Sequence, residues 1–180
     1  MSHLIAPSIL AADFANLQKD CEMLNESKAD WFHIDVMDGK FVPRYGLYPE
    51  ILIEACQHTN MPFDIHLMVE NIEFAIDQFK EADNIETISF HHFTNEGRVY
   101  KIIDKIKMAG AEPVLVIDLS TNLETVKSIL ESNELAGVMF MGIHPGVLKQ
   151  EARFKISSSN IKKFHEFSKG LRVLDNFQID

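Results

Sequence analysis

Two short stretches of this sequence carry groups able to bind a metal or move a proton, at matching intervals. In the stretch Trp31 to Met37, His33 and Asp35 stand two apart; in Pro62 to Met68, Asp64 and His66 do the same. Side chains two apart on a strand point to one face. His33, Asp35 and Met37 therefore share a face, and so do Asp64, His66 and Met68. If both faces point inward from adjacent strands, two imidazoles and a carboxylate meet. Imidazole and carboxylate together suit zinc, iron or manganese. A lone strand histidine is more often a satisfied core residue, but two such stripes on neighbouring strands favour a site.

The elements that would position these groups follow from hydrophobic periodicity. Short apolar runs predict strands at Leu4 to Leu10, Trp31 to Met37, Pro62 to Met68, Thr87 to His91, Pro113 to Asp118, Gly137 to Ile143 and Phe177 to Asp180. Amphipathic stretches predict helices at Phe14 to Leu24, Pro49 to Cys56, Ile72 to Glu81, Val99 to Met108, Leu123 to Leu130 and Asn160 to Phe167. Thr121 followed by Glu124 reads as a capping box, and Gly110 suits a helix end. Regular alternation of strand and helix implies a parallel sheet with helices outside it. No Gly-x-Gly-x-x-Gly follows the first strand, which disfavours a dinucleotide fold. The expected architecture is an α/β (β/α)8 TIM barrel spanning residues 1–180 as one domain. Such barrels typically run to about 250 residues, so the last helix pair and the eighth strand are expected to be missing from this chain. In a barrel the chemistry sits at the C-terminal ends of the strands, which selects the same residues as the spacing.

Composition narrows the function classes. A hydrophobic fraction of 46% supports a packed core, and the formal net charge of -10 argues against nucleic acid as a partner. A small anion remains possible as a ligand, because backbone amides and helix N-termini can hold phosphate without net positive charge. No apolar run approaches the roughly 20 residues that span a bilayer, and Met1-Ser2-His3 opens no secretion signal. Cys21 and Cys56 fall in predicted helices and are expected as packed thiols, which fits a cytoplasmic setting.

Longer motifs sharpen the reading. Ala6-Pro7-Ser8-Ile9-Leu10-Ala11-Ala12-Asp13-Phe14 resembles the opening motif of ribulose-phosphate 3-epimerases. Ala29 to Pro43, with His33-Ile34-Asp35-Val36-Met37-Asp38-Gly39 at its centre, resembles that family's second-strand signature. Asp64-Ile65-His66-Leu67-Met68-Val69 resembles the third-strand signature. Pro145-Gly146 is similar to the family's turn after strand six, and Gln178-Ile179-Asp180 to the end of its strand seven.

The resemblance implies an enzyme that inverts C3 of a ketopentose phosphate, interconverting ribulose 5-phosphate and xylulose 5-phosphate. It implies a divalent metal ion (zinc, iron, manganese or cobalt) held by His33, Asp35, His66 and Asp180. Asp35 and Asp180 would be the acid/base pair on opposite faces of the substrate. Ser8, His66, Met37, Met68, Met141 and Gly146 would contact the substrate. Dimers or hexamers of the chain are expected on the same ground. The chemistry accounts for the set: removing a proton beside a ketone makes an enediolate, whose negative charge a metal can stabilise. Epimerisation then needs one group to take a proton and another to return one on the opposite face. The sequence leaves open which carboxylate begins ionised.

Three departures from the family pattern stand out. The phosphate loop reads Gly146-Val147-Leu148-Lys149-Gln150, where the family carries flexible glycines; Lys149 is either a compensating charge or a solvated lysine. The end of strand four reads His91-His92-Phe93 without the usual acidic residue, and His144 replaces a polar residue before the turn; a third metal-site histidine is conceivable at either place. The family's phosphate-binding glycines after Asp180 are missing. Two other readings stay open: an epimerase of a hexulose phosphate such as allulose 6-phosphate, and a non-catalytic barrel with a degraded phosphate site. A decarboxylating barrel is disfavoured, because Met37 stands where such enzymes present a lysine.

Overall fold

A computed structural model describes residues 4–92, 96–146 and 172–176, the last stretch in its backbone. Its regular elements alternate along the chain: α1 (Leu17–Asn25), β1 (Phe32–Met37), α2 (Pro49–Cys56), β2 (Phe63–Met68), α3 (Ile72–Gln78), β3 (Ile85–His91), α4 (Glu96–Met108), β4 (Glu112–Ile117), α5 (Leu123–Glu131), β5 (Gly137–Met141) and β6 (Arg172–Asn176). The six strands form one sheet in chain order, and every neighbouring pair is parallel. This is the α/β alternation that the apolar pattern predicts.

Two expectations need correcting. Leu4 to Leu10 forms no full strand. Ile5 O accepts from Trp31 N and Pro7 O from His33 N, but only Ser8 makes a bridge to β1, and the chain turns at once into a 3-10 helix, Ile9–Ala11. Pro7 has no N–H to return to the neighbouring strand, so the ladder stops there. The second concerns α5, whose N-cap is Asn122 rather than Thr121. The Asn122 side chain accepts from Glu124 N, while Thr121 Oγ1 turns back to Asp118.

Other boundaries agree to within a few residues. Pro49 occupies the first turn of α2, where a missing N–H costs nothing. Gly110 has φ +84 just past α4, a conformation that glycine adopts without strain. β6 is not among the predicted strands, because Arg172, Asp175 and Asn176 interrupt the apolar run. The helix expected at Asn160 to Phe167, the strand expected at Phe177 to Asp180, Lys149 and Asp180 itself lie outside the described residues.

Alternation along each strand divides the sheet into two faces. Phe32, Ile34, Phe63, Ile65, Leu67, Ile88 and Phe90 face the helices and join one large apolar cluster. The helices supply matching stripes: Val99, Ile102, Ile103 and Ile106 of α4, and Leu123, Val126, Ile129 and Leu130 of α5, each at the spacing of one helical face. The opposite face of β1–β3 carries the polar set His33, Asp35, Asp64, His66, Thr87, Ser89 and His91, all buried. The same face of β4 and β5 is apolar, with Val114, Val116 and Met139 packed together. Cys21 and Cys56 are both free, the first buried and the second half-buried. Among the described residues no helix is long and apolar enough to cross a membrane.

Candidate functional site

The register of β1 against β2 sets the site. His33 pairs with Asp64 and Asp35 with His66, so the two inward stripes run side by side and offset. His33 Nε2 lies 3.2 Å from Asp35 Oδ1, and His66 Nδ1 lies 3.4 Å from the same oxygen. One ligand atom from each of the three residues falls within 4.8 Å of the other two. His33, Asp35 and His66 are 2%, 3% and 1% exposed, so bulk water does not compete for them. Two imidazole nitrogens and a carboxylate oxygen converging in a dry site form a donor set that fits a divalent cation. The set lies in mid-strand rather than at the strand tips. Met37 and Met68 occupy the tips above it, packed with Val42.

Each ligand atom is backed by a second contact. His33 Nδ1 lies 2.8 Å from Asp64 Oδ2, and Asp64 Oδ1 accepts from Thr87 Oγ1 at 2.6 Å and Ser89 Oγ at 3.4 Å. Asp35 Oδ2 accepts from Ser8 Oγ at 2.8 Å. Ser8 also caps the short 3-10 helix, taking Leu10 N at 3.3 Å, so its capping and site-facing roles coexist. His66 Nε2 meets His91 Nε2 at 2.9 Å, and His91 Nδ1 lies 3.5 Å from Asp118 Oδ2. Partners of this kind orient metal ligands and fix their tautomers.

The electrostatics follow from burial and neighbours. Burial opposes the charge on His33, but Asp35 and Asp64 on its two edges outweigh it and raise the imidazole to about 10. Burial likewise opposes ionisation of Asp35, yet His33 and His66 hold its carboxyl well below the usual range. Asp64 is lowered against its own burial by His33 and Thr87. His91 behaves in the opposite sense: burial pushes it down to about 4, with Asp118 resisting and the His66 charge assisting. In the metal-free protein, a proton shared among His33 and its two carboxylates thus occupies the place of positive charge.

The loop after β1 covers this cluster. Asp38 Oδ1 accepts from Lys40 N and Phe41 N at 2.8 and 2.9 Å, and its Oδ2 accepts from Glu70 N, beyond the end of β2, at 2.8 Å. The Phe41 ring stands 4.9 Å from the His91 ring, centroid to centroid. Val42 is buried, and a Cβ added to Gly146 (φ +70) would lie 2.5 Å from the Val42 Cβ. Gly146 is therefore needed for both its backbone conformation and its close approach. The loop so joins the ends of β1, β2, β3 and β5.

Of the residues singled out from the sequence, Ser8, His33, Asp35 and His66 come together around one carboxylate. Met37 and Met68 share a cluster above them, whereas Met141 packs against Val114, Val116 and Met139. Asp64, Thr87, Ser89, His91 and Asp118 complete the surroundings; the sequence marked Asp64 on the His66 stripe and raised a further metal-site histidine at His91-His92, but gave Thr87, Ser89 and Asp118 no role in the site. A stripe reading of β3 offers the signal for three of them, since Thr87, Ser89 and His91 recur at intervals of two.

The family model described as the ribulose-phosphate 3 epimerase family matches residues 4–177. The chain belongs to the ribulose-phosphate 3-epimerase family. Among its relatives, ribulose-phosphate 3-epimerase from Helicobacter pylori strain J99 is 40% identical over 142 residues, which is 79% of this chain and 63% of that protein. The enzyme of the same name from Methanocaldococcus jannaschii is 33% identical over 151 residues, 82% of this chain and 60% of that protein. The matches thus span less than two thirds of these relatives' own length. Among solved structures, the tryptophan synthase alpha-subunit from Pyrococcus furiosus aligns with a TM-score of 0.66 at 11% identity, over 99% of this chain and 78% of that one. At that identity the likeness concerns fold alone, and it assigns the alternating sheet to the TIM-barrel class.

Proposed function

We propose that this chain carries the epimerisation of C3 in a ketopentose phosphate, interconverting ribulose 5-phosphate and xylulose 5-phosphate. The observation that carries the reading is the convergence of His33 Nε2, Asp35 Oδ1 and His66 Nδ1 in a buried cluster, with the Ser8 hydroxyl on the second Asp35 oxygen. His33, Asp35 and His66, with Asp180 as fourth partner, would hold a divalent ion: zinc, iron, manganese or cobalt. When bound, such an ion supplies Lewis-acid stabilisation of negative charge developing on the substrate oxygens.

The chain's own groups account for the proton traffic. His33 and His66 hold the Asp35 carboxyl well below its usual range, so it starts ionised, the state a base needs before it takes the C3 proton. Epimerisation needs a second group on the other face, and Asp180 is proposed for it, beginning protonated. Ser8 donates to Asp35 Oδ2 and so orients the carboxylate. Met37 and Met68 are apolar walls that keep water from quenching the carbanion-like carbon from the wrong face. Gly146 would present backbone to the phosphate end of the substrate.

The test is proton exchange. The full chain, loaded with Mn²⁺ or Zn²⁺, is incubated with ribulose 5-phosphate in deuterated water and followed by proton NMR. The expected result is deuterium at C3 of both ketopentose phosphates. Stoichiometric metal without exchange at C3 would overturn the reading. A higher kcat/KM for allulose 6-phosphate would overturn the choice of a pentose.

A further inference from the structure

His66 has two ring nitrogens and two different neighbours. Nδ1 faces Asp35 Oδ1 at 3.4 Å, within the candidate metal cluster, and Nε2 faces His91 Nε2 at 2.9 Å. The two rings are nearly stacked, 5.1 Å between centroids with 22° between planes. A nitrogen offers a lone pair to a cation only when it carries no proton, so the His66 proton must sit on Nε2. The Nε2 of His91 must then accept, which leaves the His91 proton on Nδ1. That nitrogen points at Asp118 Oδ2, 3.5 Å away in the loosest link of the series.

Asp118 can serve this purpose because its other oxygen is fully engaged. Oδ1 accepts from Ser120 N at 2.7 Å, Ser120 Oγ at 2.6 Å and Thr121 Oγ1 at 3.1 Å. The carboxylate is thereby pinned at the end of β4 with Oδ2 directed at β3. Three successive strands thus contribute one group each, and every donor has a single consistent acceptor.

We propose that His91 and Asp118 are positioning residues for His66: in series they hold its proton on Nε2 and leave Nδ1 free for a divalent cation. The inference rests on the metal-centre reading given above and extends it across β3 and β4. In this role His91 and Asp118 act through His66 rather than on substrate or ion. Their work is to exclude the wrong tautomer of a ligand, which sets metal affinity rather than the chemistry of the proton transfer.

The test reads tautomers and affinity separately. In the full chain labelled with ¹⁵N-histidine and loaded with Zn²⁺, long-range ¹H–¹⁵N spectra are expected to show His91 protonated on Nδ1. Protonation on Nε2 with Zn²⁺ bound overturns the proposal. In chelator competition, His91→Phe, which removes the acceptor, is expected to weaken Zn²⁺ binding by about 10–100-fold. His91→Gln, whose amide oxygen can accept from the same N–H, is expected to recover most of that loss. Should His91→Phe not fold, Asp118→Ala at the rim takes its place: it is expected to shift His91 toward the Nε2-protonated form and to weaken Zn²⁺ binding. Wild-type protein that takes up no Zn²⁺ overturns the metal-centre reading itself. Wild-type protein that binds Zn²⁺ while His91→Phe or Asp118→Ala binds it equally well overturns only the positioning role.

Discussion

His33 Nδ1 sits 2.8 Å from Asp64 Oδ2, on the edge of the ring opposite the one that faces Asp35. The imidazole is thus gripped between two carboxylates, one in the candidate donor set and one behind it. The rear carboxylate requires Nδ1 to carry the proton whenever Nε2 binds a cation, which is the arrangement a metal-bound histidine needs.

Asp64→Asn tests that grip. An amide can present its NH2 to Nδ1 and so favour the tautomer with Nε2 protonated, which blocks ligation. Divalent-metal affinity should fall by about 10–100-fold, measured by competition against a chelator of known affinity. Unchanged affinity would show that Asp64 does not govern the His33 tautomer.

Asp35→Asn tests the shared role of the central carboxylate. An amide neither accepts the C3 proton nor balances the charge on His33. Turnover should fall by about 10²–10⁴-fold, the usual worth of a general acid or base, in the C3 exchange assay. Near-wild-type exchange by this variant would refute the proton-transfer assignment.

The metal-free protein should be most stable near pH 6.5. The raised His33 contributes stability that is complete below its unfolded value of 6.5 and is lost as pH rises through about 10. The depressed His91 contributes stability that is complete above 6.5 and is lost as pH falls through about 4. Asp35 and Asp64, both lowered, extend the acid loss below the ordinary carboxylate value of 3.8. Thermal unfolding across pH 3–10 should give a Tm that falls on both sides. His91→Gln should flatten the upper part of the acid limb, between about pH 6.5 and 4; an acid limb of unaltered slope there would count against His91 as its source.

Asp38→Ala should loosen the covering loop without touching the donor set. It removes three hydrogen bonds that the carboxylate accepts from the backbone N–H groups of Lys40, Phe41 and Glu70. A loss of about 1–3 kcal/mol in unfolding free energy is expected, read from denaturant midpoints, with faster proteolysis between residues 38 and 47. Unaltered stability and proteolysis would mean that the loop is held by Val42 and Phe41 alone.

The sequence was most legible where one strand's own period carried the information. His33 with Asp35, and Asp64 with His66, declare a shared face within six residues, and the apolar residues between them declare the opposite face. Family-like motifs run through the same strands, so recognition and physics pointed to the same side chains. The first strand misled because Leu4 to Leu10 is apolar enough for a ladder, while Pro7 removes a donor that composition does not weigh. Thr121 misled for a similar reason: its hydroxyl suits an N-cap, but Asp118 claims it. His91 and Asp118 were harder still. They stand 25 and 52 positions from His66 in the sequence, and only the lateral register of β2, β3 and β4 makes them neighbours.

That register has a consequence for how the protein acquires its chemistry. A slip of β2 by one residue would turn His66 toward the helices and place Leu67 against Asp35. The same slip would carry Asp64 away from His33. No misregistered pairing of β1 with β2 can therefore display the three donors together, and a divalent ion would bind the correctly aligned pair alone. By mass action such an ion would select that alignment over its neighbours, so metal loading would double as an error check on the pairing of β1 with β2.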